Sequence, residues 1–133
     1  MKTSALVAVV LTFGLTACAH HMPRESKPDP FNPHVSVVDG KHIVVNQEPI
    51  IIPRNDKDKT ITWSLPKDSP YSFPADGIVI ANGGDEFKCH LEADNQRFAC
   101  KNKNSKPGKY KYTVKVMDGA KPLEPLDPVI SNG

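Results

Sequence analysis

The sequence predicts an all-β protein built as an antiparallel Greek-key β-sandwich, and three observations carry this prediction. Short runs rich in β-branched and aromatic residues alternate apolar with polar side chains, the pattern of half-buried strands. Turn-forming residues separate these runs, as at Asp39-Gly40, Asn82-Gly83-Gly84 and Asp118-Gly119. No long segment after residue 17 repeats its apolar residues at the helical period of about 3.6 residues. We therefore expect about eight short strands and little or no helix.

The chain begins with a predicted secretory signal, residues 1–17. Lys2 is followed by an apolar run from Ala5 to Leu15, and a basic residue before a short apolar run is typical of a signal peptide. The run is too short to cross a bilayer as a stable helix, which needs about 20 residues. We expect this segment to be removed on export.

The signal ends in Leu15-Thr16-Ala17-Cys18, which resembles the lipobox of bacterial lipoproteins. In that family a branched apolar residue and two small residues precede the cysteine that is lipidated and becomes the mature N-terminus. The resemblance implies that Cys18 carries a lipid such as palmitate and that this lipid makes a membrane the first partner. Ala19, in place of Asp, resembles lipoproteins sent to the outer membrane of enteric-type bacteria. The alternative is an ordinary signal with Cys18 as a core thiol.

Residues 18–34 form a predicted tether between the lipid and the domain. Four prolines recur among charged and polar residues, and such spacing keeps a segment extended and without a core. His20, His21 and Met22 are possible metal ligands in a row, but adjacent side chains on a flexible chain give no fixed geometry, so solvated linker residues are the simpler interpretation. The single domain is then expected at residues 35–133.

The first strands of this domain follow from a turn signal. Val35–Val38 and His42–Val45 flank Asp39-Gly40, and Asp-Gly between apolar runs is a strong hairpin signal. Ile50–Ile52 lies between two prolines, so it should pair over a few residues or at an edge.

Residues 60–65 then alternate cleanly, with Ile61, Trp63 and Leu65 on one face. Trp63 is the only tryptophan and is the predicted centre of the core. Residues 66–74 should form a loop, and residues 77–81 the next strand.

Residues 87–101 predict a β-hairpin closed by a disulfide between Cys89 and Cys100. If Asp94 and Asn95 are the two central residues of a tight turn, Leu91 faces Phe98 and the two cysteines face each other. The same register places Glu92 opposite Arg97 as an attractive cross-strand pair. A polar turn, residues 102–108, leads to the best strand of the sequence, residues 110–117. Val129 and Ile130, in the proline-rich tail, should add a short edge strand or simply dock.

Composition limits the possible partners. The 133 residues carry a formal net charge of only +2, which argues against nucleic acid, because phosphate neutralisation needs a concentrated basic face. The chain has three cysteines. With one used for the lipid, an even pair remains for an oxidising compartment, and the absence of a Cys-x-x-Cys spacing disfavours a redox couple or a zinc site.

The order of parts resembles the cupredoxin-like sandwich. The resemblance lies in Ile61-x-Trp63, Phe98-Ala99-Cys100, a polar turn ending at Gly108, and a closing alternating strand. It implies that Cys100 occupies the position of the copper-ligating cysteine, but the histidine and methionine that follow it in that family are missing here. The electron-transfer role of the family is therefore not expected, and an immunoglobulin-like sandwich is the structural alternative.

The sequence predicts no catalytic residues, no metal site and no cofactor. His34, His42 and His90 stand apart from any nucleophile, and His90 should point to solvent. Three acidic residues bracket one strand and are most simply turn residues: Asp76, Asp85 and Glu86. Six lysines form the one local charge excess, as a solubility face or as a contact for an acidic partner or anionic headgroups: Lys101, Lys103, Lys106, Lys109, Lys111 and Lys115.

These features together predict a lipid-anchored envelope lipoprotein facing the periplasm, with a non-enzymatic protein-binding or structural role and an unknown protein partner. Two alternatives stay open. One is copper handling, with His20, His21 and Met22 or the pair His42 and His90 as ligands. The other is inhibition of, or immunity to, a cell-wall enzyme.

Overall fold

The computed structural model describes residues 27–133, which fold into strands joined by turns. Their only helical element is a short 3-10 turn, Gly84–Glu86. The strands are β1 Val35–Val38, β2 His42–Val45, β3 Ile50–Ile52, β4 Lys59–Ser64, β5 Tyr71–Ser72, β6 Ile78–Ile80, β7 Phe87–Leu91, β8 Arg97–Asn102, β9 Gly108–Val114, β10 Met117–Asp118, β11 Lys121–Pro122 and β12 Val129–Asn132.

Two sheets form the body of the molecule. One has the strand order β4-β8-β7 and the other β3-β12-β9-β6. Their inner faces meet through aromatic side chains, with Trp63 of β4 against Tyr112 of β9 at a ring distance of 5.3 Å and Phe87 of β7 against Tyr110 of β9 at 5.0 Å. The prediction of an all-β sandwich is therefore confirmed.

Two smaller elements complete the fold. Strands β1 and β2 form a hairpin, and β5, β10 and β11 form a three-stranded sheet. The β1–β2 turn needs a left-handed backbone at two successive residues, Asp39 (φ 54°) and Gly40 (φ 65°), which explains the Asp-Gly sequence found there. Val35, Ile43 and Val45 point from this hairpin into the core.

Trp63 lies at the centre of the core, as predicted, and has no exposed surface. Its indole N–H donates a hydrogen bond of 3.3 Å to the Tyr112 hydroxyl, which gives the one polar atom of the indole a partner. Burial raises the pKa of Tyr112 far above its usual range. The neutral phenol is therefore retained in the fold, and its stabilising contribution is lost only as the pH rises above about 10, where an unfolded tyrosine ionises.

Three asparagines are buried between the sheets, which the sequence did not indicate. Asn102 and Asn132 exchange two side-chain hydrogen bonds, of 2.8 and 3.2 Å, and the Asn102 side-chain oxygen Oδ1 also accepts the backbone N–H of Asn104 at 3.0 Å. The Asn104 side chain donates to the Pro53 and Asp56 carbonyls. The first residues of the polar turn predicted at residues 102–108 therefore belong to the core.

The C-terminal strand does not have the edge position that the sequence predicted. Val129–Asn132 is not an edge strand: it lies between β9, with which it is antiparallel, and β3, with which it is parallel. Strand 110–117 is also divided, because β9 ends at Val114 and Met117 begins β10. Short strands such as β5, β10 and β11 explain why the structure has more strands than the eight expected.

The contacts of the domain begin at Asp29, six residues before the predicted boundary at residue 35. Phe31 packs against the core, and its carbonyl accepts the Thr62 N–H at 2.8 Å. Gln47 donates its side-chain amide to the Asp29 carbonyl at 2.7 Å. The last residues assigned to the tether thus form part of the sandwich, where they cover the free edge of β4.

The asparagine cluster provides a test of the polar part of the core. Asn102→Ala removes the acceptor of Asn104 and both side-chain bonds to Asn132, so buried polar groups lose their partners. We expect the free energy of unfolding, measured by urea denaturation, to fall by about 1–3 kcal/mol. Lys103→Ala, at an exposed neighbouring position, should change it by less than about 0.5 kcal/mol. Equal effects of the two substitutions would show that the cluster contributes nothing specific.

Candidate functional site

The hairpin of β7 and β8 contains the predicted disulfide, and its strands pair in the predicted register. Cys89 lies opposite Cys100 and Leu91 opposite Phe98. The two cysteines form a disulfide with a Cα–Cα distance of 4.0 Å. Cys100 has no exposed surface and is part of the core, whereas Cys89 is exposed on the edge strand β7. The bridge therefore ties the edge strand β7 to the middle strand of its sheet.

The tip of this hairpin differs from the prediction. The turn is closed one position earlier, by the Asn95 N–H donating to the Glu92 carbonyl at 3.1 Å, and only Asn95 has a positive φ, 56°. Asp94 accepts the backbone N–H of Gln96 and of Arg97 and receives the Arg97 side chain at 2.9 Å. This Arg97 hydrogen bond holds the pKa of Asp94 below its usual range.

The predicted ion pair between Glu92 and Arg97 is wrong for that reason. Arg97 turns back to Asp94, three residues before it, and Glu92 lies 3.4 Å from the His90 imidazole instead. A carboxylate that is already fixed by the turn reaches the guanidinium at little entropic cost, whereas Glu92 would have to be ordered across the strands.

Gln96 is a structural residue that sequence reasoning missed. Its side-chain nitrogen lies 3.1–3.2 Å from the Pro66, Ser69 and Tyr71 carbonyls and from the Ser69 hydroxyl. The loop at residues 66–71 is thereby wrapped around the hairpin tip. Since the partners are three backbone carbonyls and one hydroxyl at least 25 residues away in the chain, no local sequence signal could have identified them.

The three acidic residues that bracket β6 do not form one site. Asp76 accepts the Lys115 ammonium at 2.7 Å, which lowers the pKa of its carboxyl. Glu86 accepts both the backbone N–H and the hydroxyl of Ser105, and the hydroxyl hydrogen bond lowers the pKa of Glu86 below its usual range. Asp85 is exposed in the 3-10 turn. Each carboxylate thus serves its own turn or strand end.

The histidines of the described chain are also separate. His34 precedes β1, His42 begins β2 and His90 lies on the outer face of β7, all of them exposed. Between residues 27 and 133, no three His, Cys, Asp or Glu side chains form a group able to hold a metal ion. His20, His21 and Met22, like the lipidation candidate Cys18, lie outside the described residues.

The predicted lysine excess lies at one end of the sandwich and along the outer face of β9. Lys109 and Lys111 are exposed on β9, Lys101 is exposed on β8, and Lys103 and Lys106 are exposed in the connection between these strands. Lys115 is the exception, because it is paired with Asp76.

The outer face of the β1–β2 hairpin is an apolar surface that the prediction did not include. Val38 and Val44 keep 45% and 41% of their surface exposed. The register places them on the same side, with Val38 opposite His42 and Val44 opposite Ser36. The sequence does contain a signal for this surface, because consecutive valines in both strands supply more apolar residues than one buried face can take. We call these four residues the hairpin face.

A shallow cavity of about 280 Å³ adjoins the hairpin face. It lies between β2 and the segment before β12, and two carboxylates, Glu48 and Asp127, are among its lining residues. Glu48 accepts the Val129 N–H at 3.2 Å and Asp127 accepts the Thr113 hydroxyl at 2.9 Å, so both are held in place. An apolar face beside fixed negative charge suits a partner that presents apolar side chains together with a basic group.

Comparison of the chain with protein-family models and with curated proteins finds no match. The resemblances to lipoproteins and to cupredoxin-like domains therefore stay predictions. No helix within residues 27–133 has the length and hydrophobicity needed to cross a bilayer.

The disulfide gives a prediction for stability. The two cysteines are 11 residues apart, and closing a loop of that size should stabilise the fold by about 3 kcal/mol through the entropy of the unfolded chain. Replacing both cysteines by alanine should lower the free energy of unfolding by about this amount in urea denaturation. Under reducing conditions the free energy of unfolding of the wild-type chain should fall close to that of the double variant. An oxidised wild type no more stable than the double variant would contradict the structural role.

Proposed function

We propose that this protein is a lipid-anchored envelope lipoprotein whose β-sandwich is a non-enzymatic module that binds another protein. The observation that carries the proposal is the segment Leu15-Thr16-Ala17-Cys18 at the end of an apolar signal, with a proline-rich tether after it. The disulfide between Cys89 and Cys100 supports it, because stable disulfides are typical of oxidising compartments such as the periplasm.

The hairpin face is the surface proposed for the protein partner. Isolated exposed valines are ordinary, but these two share one face, and Val44 also lines the adjoining cavity. Strands β1 and β2 pair only with each other apart from single bridges, such as that of His42 with Glu124. All four side chains of the hairpin face are exposed, so this face is available to a protein with complementary apolar and basic groups.

The anchor is tested by Cys18→Ala in cells supplied with a labelled fatty acid. We expect the wild-type protein to incorporate the label and to fractionate with membranes, and the variant to lose both properties. The variant lacking Cys89 and Cys100 is the matched control, since it should keep the label per molecule of protein. Labelling or membrane fractionation that survives Cys18→Ala would refute the anchor.

The partner surface is tested by photo-crosslinking in intact cells. A photoreactive residue at Val38 or at Val44 should give the same discrete crosslinked product, because both side chains belong to one face. Val79 is the matched control, since it is 45% exposed like Val38 but lies on the second sheet. Glu48→Lys combined with Asp127→Lys should reduce the yield by reversing the charge beside the face. Equal products from all three positions, or none from Val38 and Val44, would contradict the proposed surface.

A further inference from the structure

Eight of the fifteen lysine and arginine residues within residues 27–133 lie at one end of the sandwich. The strand registers define this end. In one sheet, Lys59 at the start of β4 lies opposite Asn102 at the end of β8. In the other sheet, Asn132 at the end of β12 lies opposite Gly108 at the start of β9. We call this end the basic end. Its cationic residues are Arg54, Lys57, Lys59, Lys88, Lys101, Lys103, Lys106 and Lys109.

We propose that the basic end docks on the anionic headgroups of the membrane that holds the lipid anchor. The inference rests on the proposed function, because it assumes that Cys18 is lipidated. It adds a second contact, made by the folded domain, and with it a fixed orientation of the domain on the bilayer.

The acidic residues of this end neutralise only part of its charge. Asp56 pairs with Lys59 at 2.9 Å, and a small cavity of about 80 Å³ joins Asp58, Asp85 and Glu86 to three lysines. Within residues 27–133, no carboxylate oxygen lies within ion-pair distance of Lys101, Lys106 or Lys109.

Two of the lysines are arranged in a way that an anionic surface would favour. Lys88 and Lys101 lie directly opposite each other on neighbouring strands, both exposed. Like charges in this arrangement destabilise a sheet, and Asp58, Asp85 and Glu86, which line the same small cavity, offset only part of that repulsion. Anionic headgroups next to the two lysines would offset more of it.

The first part of the described chain touches this same end. Residues 31–34 run alongside β4 and in the same direction, since the Thr62 N–H donates to the Phe31 carbonyl and His34 forms a parallel bridge with Ser64. The Lys59 ammonium is 5.3 Å from the centre of the Phe31 ring. The chain turns just before this segment, where the Asn32 N–H donates to the Asp29 carbonyl, so Phe31 is the point at which it adjoins the basic residues.

The length of the segment between Cys18 and the described domain allows the basic end to reach the bilayer. From residue 18 to residue 27 a fully extended chain spans at most about 30–35 Å. Headgroup charge attracts a basic group only within about a Debye length, roughly 8–10 Å, so the domain must approach closely and the short chain permits this.

The opposite end of the sandwich is closer to neutral. Its acidic residues, among them Asp68, Asp94, Asp118 and Glu124, share their loops with cations, namely Lys41, Lys67, Arg97 and Lys121. The resulting charge asymmetry favours one orientation, with the basic end toward the anionic surface. A bilayer fits better than a small soluble anion, because the lysines are spread over several strands and loops instead of converging on one point.

The experiment measures vesicle binding without the lipid. The processed chain, residues 18–133 with Cys18→Ala, is mixed with vesicles of phosphatidylethanolamine and phosphatidylglycerol or with vesicles of phosphatidylcholine alone, and bound protein is measured by sedimentation. We expect binding to the anionic vesicles only, and weaker binding as salt is added. Replacing Lys101, Lys106 and Lys109 by glutamine should lower the partition coefficient by about fivefold for each lysine that faces the bilayer, and by at least about tenfold in all.

The matched control replaces three exposed lysines of the opposite end, Lys41, Lys67 and Lys121, by glutamine. It changes net charge by the same amount and should leave binding within about twofold of the unsubstituted chain, because those lysines face away from the bilayer. Equal losses in the two triple variants, equal binding to neutral vesicles, or no binding to anionic vesicles would each overturn the proposal. Loss of the anchor itself is read separately, from fatty-acid labelling of Cys18, so the two ideas can fail independently.

Discussion

The contact between Trp63 and Tyr112 is the interaction on which the sandwich depends. It joins the middle of the β9 sheet to β4 by ring packing at 5.3 Å and by a hydrogen bond of 3.3 Å. Both side chains are almost without exposed surface, so this contact excludes water from the centre of the domain. A domain of this size buries only about two thirds of the surface of its unfolded chain, and a few large aromatic residues therefore carry much of its core.

The asparagine cluster gives the core a polar boundary at the basic end. Asn102 of β8 and Asn132 of β12 join the two sheets by hydrogen bonds where the apolar side chains end. The Asn104 side chain also holds the loop that leads from β3 to β4. The Asn102 and Asn132 amides satisfy each other, whereas the buried Asn104 side-chain oxygen has no hydrogen-bond partner among the described residues. The paired amides favour this arrangement of strands over alternatives that would leave them unpaired as well. This explains how a connection rich in lysine can be rigid at its backbone while its charged side chains remain in solvent.

The two proposed surfaces are compatible because they occupy different parts of the fold. The basic end collects the start of β4, the end of β8 and the segment at Phe31, whereas the tip of the β1–β2 hairpin lies near Glu124, beside the loops of the opposite end. A domain oriented by its lysines toward headgroups would hold the hairpin face away from them. The sign of the charge at each surface also separates the partners, with lysines toward lipid and Glu48 and Asp127 toward protein.

The sequence by itself determined the strands whose side chains alternate and the register of the disulfide hairpin. Ile61 and Trp63 could be assigned to the core because a period of two residues fixes which side chains share a face. The pairing of Cys89 with Cys100 followed because one register satisfies every apolar pair of that hairpin. Only the tertiary structure decided that β12 lies inside a sheet, that three asparagines are buried and that Arg97 turns to Asp94. Those outcomes depend on neighbours brought together from distant parts of the chain or on competition between nearby partners, and local pattern carries no information about either.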